Sequence, residues 1–239
     1  MLFRSIIDPW AVLAPGFWLS FGAVAIILFV SAGRIAQAHW LTAWARVQWA
    51  ITLGLIPLLL AMFQQISVVS PLANAFAIPL VSLVVVPLTL LGVIVPWDFL
   101  LVAAHWMMSL CATMLDWVGA VPFAVWQQHA PVAWTIPVAV AGVFWLLLPR
   151  GFPARATGAV ALLPLFAVLP PAPAEGNLRL TVLDVGQGLA VVAQTSSHAL
   201  VYDAGPSYGL QADSGLRTVV PFLRASGVRS LSEIGRAHV

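Results

Sequence analysis

Of the 239 residues, 62% are hydrophobic and only 8% are charged, with a mean hydropathy of +1.00. A soluble domain carries about 25% charged residues, so a chain folded throughout against water is excluded. The net charge of +2, with every cationic side chain but histidine an arginine, is too weak to argue for a nucleic-acid surface by itself, and the single cysteine, Cys111, excludes a disulfide framework within the chain.

The opening MLFRSIIDPW does not read as a signal peptide, because Arg4 is followed by Asp8 and Pro9 before a long apolar run forms. A membrane helix needs about 20 apolar residues. On that measure the chain predicts about six spans, at residues 13–30, 47–63, 78–95, 99–121, 132–148 and 156–169. Arg34 and Arg46 flank the connection between the first two, and Arg150 and Arg155 that between the last two. Both connections fall on one side of six alternating spans. Arginine marks that side as cytoplasmic, so Glu175 onward is expected outside.

The stretch PLANAFAIPLVSLVVVPLTLLGVIVP (71–96) carries no charge but has prolines at 71, 79, 87 and 96. Proline removes a backbone donor and clashes one turn back. Residues 71–77 read as a broken or re-entrant opening ahead of the span at 78–95; a plain proline-kinked span fits the same residues. Irregular backbone at membrane depth needs protein or water around it, which makes Asn74 a pore-lining candidate. Asn74 also reads as a cap for the helix that follows. In the next span, His105 and Asp116 are eleven residues, about three turns, apart and project from one face. Ionisable groups within a span are candidates for a pore lining, although both also fit as groups reaching the headgroups. The eleven tryptophans fit interface anchors better than base-stacking platforms.

Charge density then changes. Eight charged residues fall in the first 174 and ten in the last 65. PPAPAEG (170–176) marks the boundary as a stiff linker within 170–177. Beyond it, residues 178–185, 189–194 and 199–202 read as strands, with a tight turn at Asp184, Gly186, Gln187 and Gly188 between the first two. Val220–Pro221 reads as a helix start and Gly227 as its C-terminal cap. His198 reads as a solvated turn residue. EIGRAHV (233–239) breaks the expected pattern after Leu231 and reads like translated sequencing adapter, so 233–239 is expected to be a non-native tail holding His238.

Three segments of the apolar part, GFWLSFGAVAIILF (16–29), GLIPLLLAMFQQISVVSP (54–71) and PLANAFAIPLV (71–81), resemble the membrane domain of the ComEC family, competence channels that bring single-stranded DNA across the inner membrane. TVLDVGQGLAVVAQ (181–194), VYDAGP (201–206) and VVPFLRASGV (219–228) resemble, in that order, the start of the metallo-β-lactamase-like domain that ends those proteins. Many relatives have an acid where this chain has Leu189, so no role for an acid carries over there. The resemblance implies a polytopic α-helical membrane domain over 1–169, followed at 178–232 by the α+β opening of an incomplete metallo-β-lactamase-like domain. It implies an inner-membrane location with 175 onward external. Its implied partners are the lipid bilayer, single-stranded DNA, other competence machinery proteins and further copies of the chain.

In the family, histidine–aspartate clusters hold one or two divalent metals, zinc or manganese, which generate a nucleophile from water. The main cluster is expected past Leu231 and is not in this sequence. No metal or complete catalytic set is therefore expected here, and the resemblance leaves Asp203 as a strand-end carboxylate that orients metal ligands, or simply as a turn former. The chain is expected to be a fragment of such a channel. The rival readings are a membrane-anchored metallohydrolase whose spans only tether it, and a fragment without activity of its own.

Overall fold

The structure, a computed structural model, describes residues 9–32, 39–95, 97–149, 151–206 and 214–235. The expectations that rest on Arg4, Asp8, Arg34, Pro96, Arg150 and His238 lie outside the described residues. The chain divides into two compact units, one of Met1–Gln127 with Val143–Thr157, the other of Gln128–Gly142 with Gly158–Val239.

The first unit is a helical bundle. A short 3₁₀ turn, Pro9–Leu13, leads into α1, Pro15–Ser31. Proline in the first turn of α1 loses nothing, because that N–H has no intrahelical partner. Helix α2, Trp40–Phe63, starts where the His39 side chain accepts from the Leu41 amide and stops at Gln64, whose φ of 53° is left-handed. α3 is Ser70–Ile94 and α4 is Asp98–Gly119. Among the described residues three helices, α2, α3 and α4, are long and apolar enough to cross a membrane; the apolar stretches Pro15–Ser31, Thr135–Leu147 and Arg155–Ala167 are shorter.

Residues 71–77 are helical, not broken. Helix α3 begins at Ser70, which places Pro71 in its first turn. The irregularity falls instead at a π-helical turn, Val81–Val85. Here the Val86 amide reaches back five residues to the Val81 carbonyl. Pro87 follows at once, with no N–H to give and a ring that crowds the preceding turn. The wider π ring accommodates it without ending the helix. The Thr89 hydroxyl donates to the Val85 carbonyl at 2.7 Å, satisfying an acceptor in the same turn.

Small residues bring the helices together. A Cβ at Gly54 of α2 would collide with the Ile26 side chain of α1, beside the core of Ile26, Val30 and Ala50. A Cβ at Gly92 of α3 would lie 2.9 Å from Leu101 Cγ of α4. Close approach at small residues is how helices gain contact where lipid removes the hydrophobic drive. Beyond α2 and α4, strands β1 (Gln65–Ser67) and β2 (Val125–Gln127) pair antiparallel, with Gln65 opposite Gln127. This ribbon satisfies backbone groups at the expected outer loops.

The second unit holds a four-stranded sheet in the order β3-β4-β5-β6: β3 Arg179–Val182, β4 Ala190–Gln194, β5 Ala199–Ala204 and β6 Glu233–Gly235. The first three are antiparallel neighbours and β6 runs parallel to β5. Residues 233–235, the first part of the stretch expected to be a tail, pair along β5. The crossover between β5 and β6 includes a π turn, Gly215–Val219, and a short helix, Val220–Ala225. That helix ends in a Schellman motif: Gly227 (φ +75°) donates to Arg224 O and Val228 to Leu223 O, both at 3.0 Å. One sheet face buries Val192 and Val201 against Val219 and Leu223. The unit also contains helix α5, Thr135–Leu147, in its N-terminal part, and α6, Leu163–Ala167.

Candidate functional sites

Asn74 lies one turn inside α3, half-buried, and its Nδ2 donates to Ser70 Oγ at 3.2 Å. It does not cap the helix; the cap position belongs to Val69, which makes no side-chain bond there. His105 and Asp116 are both exposed on α4, and the His105 ring meets Trp106 edge-on at 6.4 Å. Eleven residues of helix separate the two by about 16 Å along the axis, so they share a face but do not touch. Asp98, Ser109 and Thr113, exposed on that same face, escaped the sequence reading, although a 3.6-residue count of polar positions finds them.

In the second unit the turn after β3 and the end of β5 form one construction. Asp184 Oδ1 accepts from the Gly186 amide at 3.1 Å, which closes the turn locally. Gly188 has φ +120°, and a Cβ there would lie 2.7 Å from Pro206 Cδ. The Gly205 amide donates to the Leu189 carbonyl at 3.1 Å, and a Cβ on Gly205 would press on Val185 and Ser214 at 3.0 Å. The sequences VGQG and DAGP are thus interlocked: glycine is needed where the two backbones approach. Asp184 and Gln187 are exposed. Asp203 is half-buried with φ 58°, and its Oδ1 accepts from the amides of Ala204 at 2.7 Å and Gly205 at 3.3 Å. Asparagine and aspartate tolerate this left-handed conformation because their side chains bond locally.

His198 sits at the other end of the β4–β5 hairpin, with Nδ1 2.8 Å from Ser197 Oγ and its amide donating to Thr195 Oγ1. It is a full strand length from Asp203. Among the described residues no three of histidine, cysteine, aspartate and glutamate come together as a metal site. The Asp203 oxygen that points into the turn is taken by two backbone amides. The described residues therefore do not fit the zinc or manganese pair that the resemblance implies. Cys111 is buried.

His129 was not singled out by sequence, yet it is the buried histidine among the described residues. Its ring nitrogens lie 3.1 Å from Ala130 O and 3.3 Å from Phe166 O. The neighbouring Gln128 Nε2 donates to Leu165 O at 3.0 Å. Both side chains meet carbonyls at the end of α6, which have no partner within the helix. No sequence pattern announces a cap supplied from 37 residues away.

Residues 1–153 match the family Competence, described as Competence protein. The chain is 37% identical over 235 residues to "Competence protein ComA" of Neisseria gonorrhoeae, an alignment that covers 98% of this chain and 33% of that protein. It is 30% identical over 244 residues to "Uncharacterized protein YcaI" of Escherichia coli (strain K12), covering 91% of this chain and 30% of that one. The chain thus spans about a third of the length of these curated relatives. No solved structure matches it.

Proposed function

The chain belongs to the Competence protein family, and from that membership we propose that it is part of an inner-membrane channel for uptake of single-stranded DNA in natural transformation. The match over residues 1–153 carries this reading, and three helices long and apolar enough to cross a membrane support it. The finer reading keeps six crossings: α1, α2, α3, α4, α5 and the stretch Arg155–Ala167. The short ones would cross where the bilayer thins to meet them. Residues 175 onward then stand outside, as the opening of a metallo-β-lactamase-like domain that the longer parent completes with its own metal ligands. DNA, other competence proteins and further copies of the chain are its proposed partners.

A strand of DNA carries a charge at each phosphate, so its path has to be wet and offer donors. Asn74 supplies donors without a charge that would hold the strand. The test uses the full-length parent in a naturally competent host lacking its own copy. Asn74→Asp keeps the side-chain size and adds a like charge. It is expected to lower transformation about tenfold or more at equal protein level, since about 1.4 kcal/mol of repulsion suffices for that factor. Wild-type transformation by Asn74→Asp removes Asn74 from the path. Wild-type transformation after deletion of the whole parent overturns the uptake role.

A further inference from the structure

The polar residues of α4 form one stripe. At 3.6 residues per turn, Asp98, His105, Ser109, Thr113 and Asp116 fall within an arc of about 80°. All five are exposed, and the buried residues of the helix, Ala104 and Cys111, lie on its far side. The stripe therefore runs the length of an apolar helix and faces away from the bundle core.

Helix stability explains only one end of it. Asp98 stands in the first turn, where a carboxylate complements the helix dipole. Asp116 stands in the last turn, where the same dipole disfavours it and where there is no basic residue. The middle is not explained by reach to the headgroups, because Ser109 and Thr113 are short and lie well inside a helix about 33 Å long. The Thr113 hydroxyl donates to the Ser109 carbonyl at 3.0 Å, which keeps its oxygen available as an acceptor along the stripe. Ionisable residues at membrane depth turn to a bundle interior, to water or to one another.

The sign of the charge selects the solute. The stripe has a carboxylate at each end, and residues 70–119 contain no arginine or lysine. A phosphate chain would be repelled at both mouths, whereas a small cation is attracted. We propose that this face of α4 lines a water-filled path for small hydrated cations, hydronium included, separate from the path of the DNA strand. It rests on the reading of α4 as a membrane crossing, not on the DNA-uptake role.

The test is thiol accessibility of the whole chain in native membranes. Ser109→Cys and Thr113→Cys, both close to isosteric, are made in a Cys111→Ala background and treated with a cationic or an anionic membrane-impermeant methanethiosulfonate. Cys111 of the otherwise unchanged chain, buried in the folded bundle, stays unreactive until denaturation and reports folding. Both new cysteines are expected to react. After correction for each reagent's rate with a free thiol, the cationic one should be favoured roughly tenfold or more, the effect expected through water of two carboxylates about 10 and 17 Å from Ser109 and about 5 and 22 Å from Thr113. Asp98→Asn with Asp116→Asn should remove most of that preference. No reaction at either position means that lipid or protein covers the stripe and overturns the path. Equal reaction with the anionic reagent, or a preference that survives both substitutions, overturns the cation assignment. Transformation, scored separately, reports on DNA uptake alone.

Discussion

Asp203 shows how much one residue's backbone can demand. Its φ of 58° costs most side chains about 1–2 kcal/mol, and its carboxylate offsets that cost by holding two amides. Asp203→Asn keeps both the conformation and an acceptor, so stability against denaturant should change by less than about 0.5 kcal/mol. Asp203→Ala loses the acceptor and keeps the strain, and should cost roughly 1–3 kcal/mol. If the two variants are equally stable, the turn does not depend on that oxygen. Gly188 is less forgiving. Gly188→Ala meets both a positive φ of 120° and the Pro206 ring, and should destabilise by roughly 1–3 kcal/mol, read as faster proteolysis between 178 and 206.

Among the elements, the pairing of α1 with α2 depends on a small residue facing a large one. Gly54→Ala should weaken the bundle because the new methyl would occupy the space of Ile26. Ile26→Val in the same chain makes room, so the double variant should recover part of the loss, with a coupling of about 0.5–3 kcal/mol. Thermal stability in detergent measures both, and strictly additive losses would mean that the two side chains do not meet. The π turn in α3 answers to Pro87 in the same way. With Pro87→Ala the missing amide returns, and a regular helix would rotate everything beyond it by about 100°. That rotation would carry Gly92 away from Leu101, so the α3–α4 contact should loosen even though alanine is the better helix former.

On the scale of the whole molecule, the proposed topology and the expected lack of a tight metal site are testable without any transport assay. A reporter active only outside the cytoplasm, fused after Gly176, should be active; activity of a cytoplasm-only reporter there would reverse the orientation drawn from Arg34, Arg46, Arg150 and Arg155. Chelator-washed protein should carry no stoichiometric zinc or manganese, because a tight site needs three or more converging ligands. Metal retained at one equivalent per chain would mean that ligands converge in a way the described residues do not.

Composition and local pattern determined the broad outline. Long apolar runs marked α2, α3 and α4 as long and apolar enough to cross a membrane, runs rich in branched and apolar residues placed β3, β4 and β5, and Gly227 marked a helix end because its left-handed conformation is a local demand. The resemblance of apolar segments such as GFWLSFGAVAIILF and PLANAFAIPLV, within residues 1–153, made the family legible. Tertiary structure decided the rest. It made 71–77 helical, because proline in a first turn loses no hydrogen bond, and moved the irregularity to Val81–Val85, where Pro87 does. It paired 233–235 with β5 through backbone hydrogen bonds that any residues but proline can make. It also brought His129 to the carbonyl of Phe166 and interlocked Gly188 with Pro206, contacts between distant positions that no local period encodes.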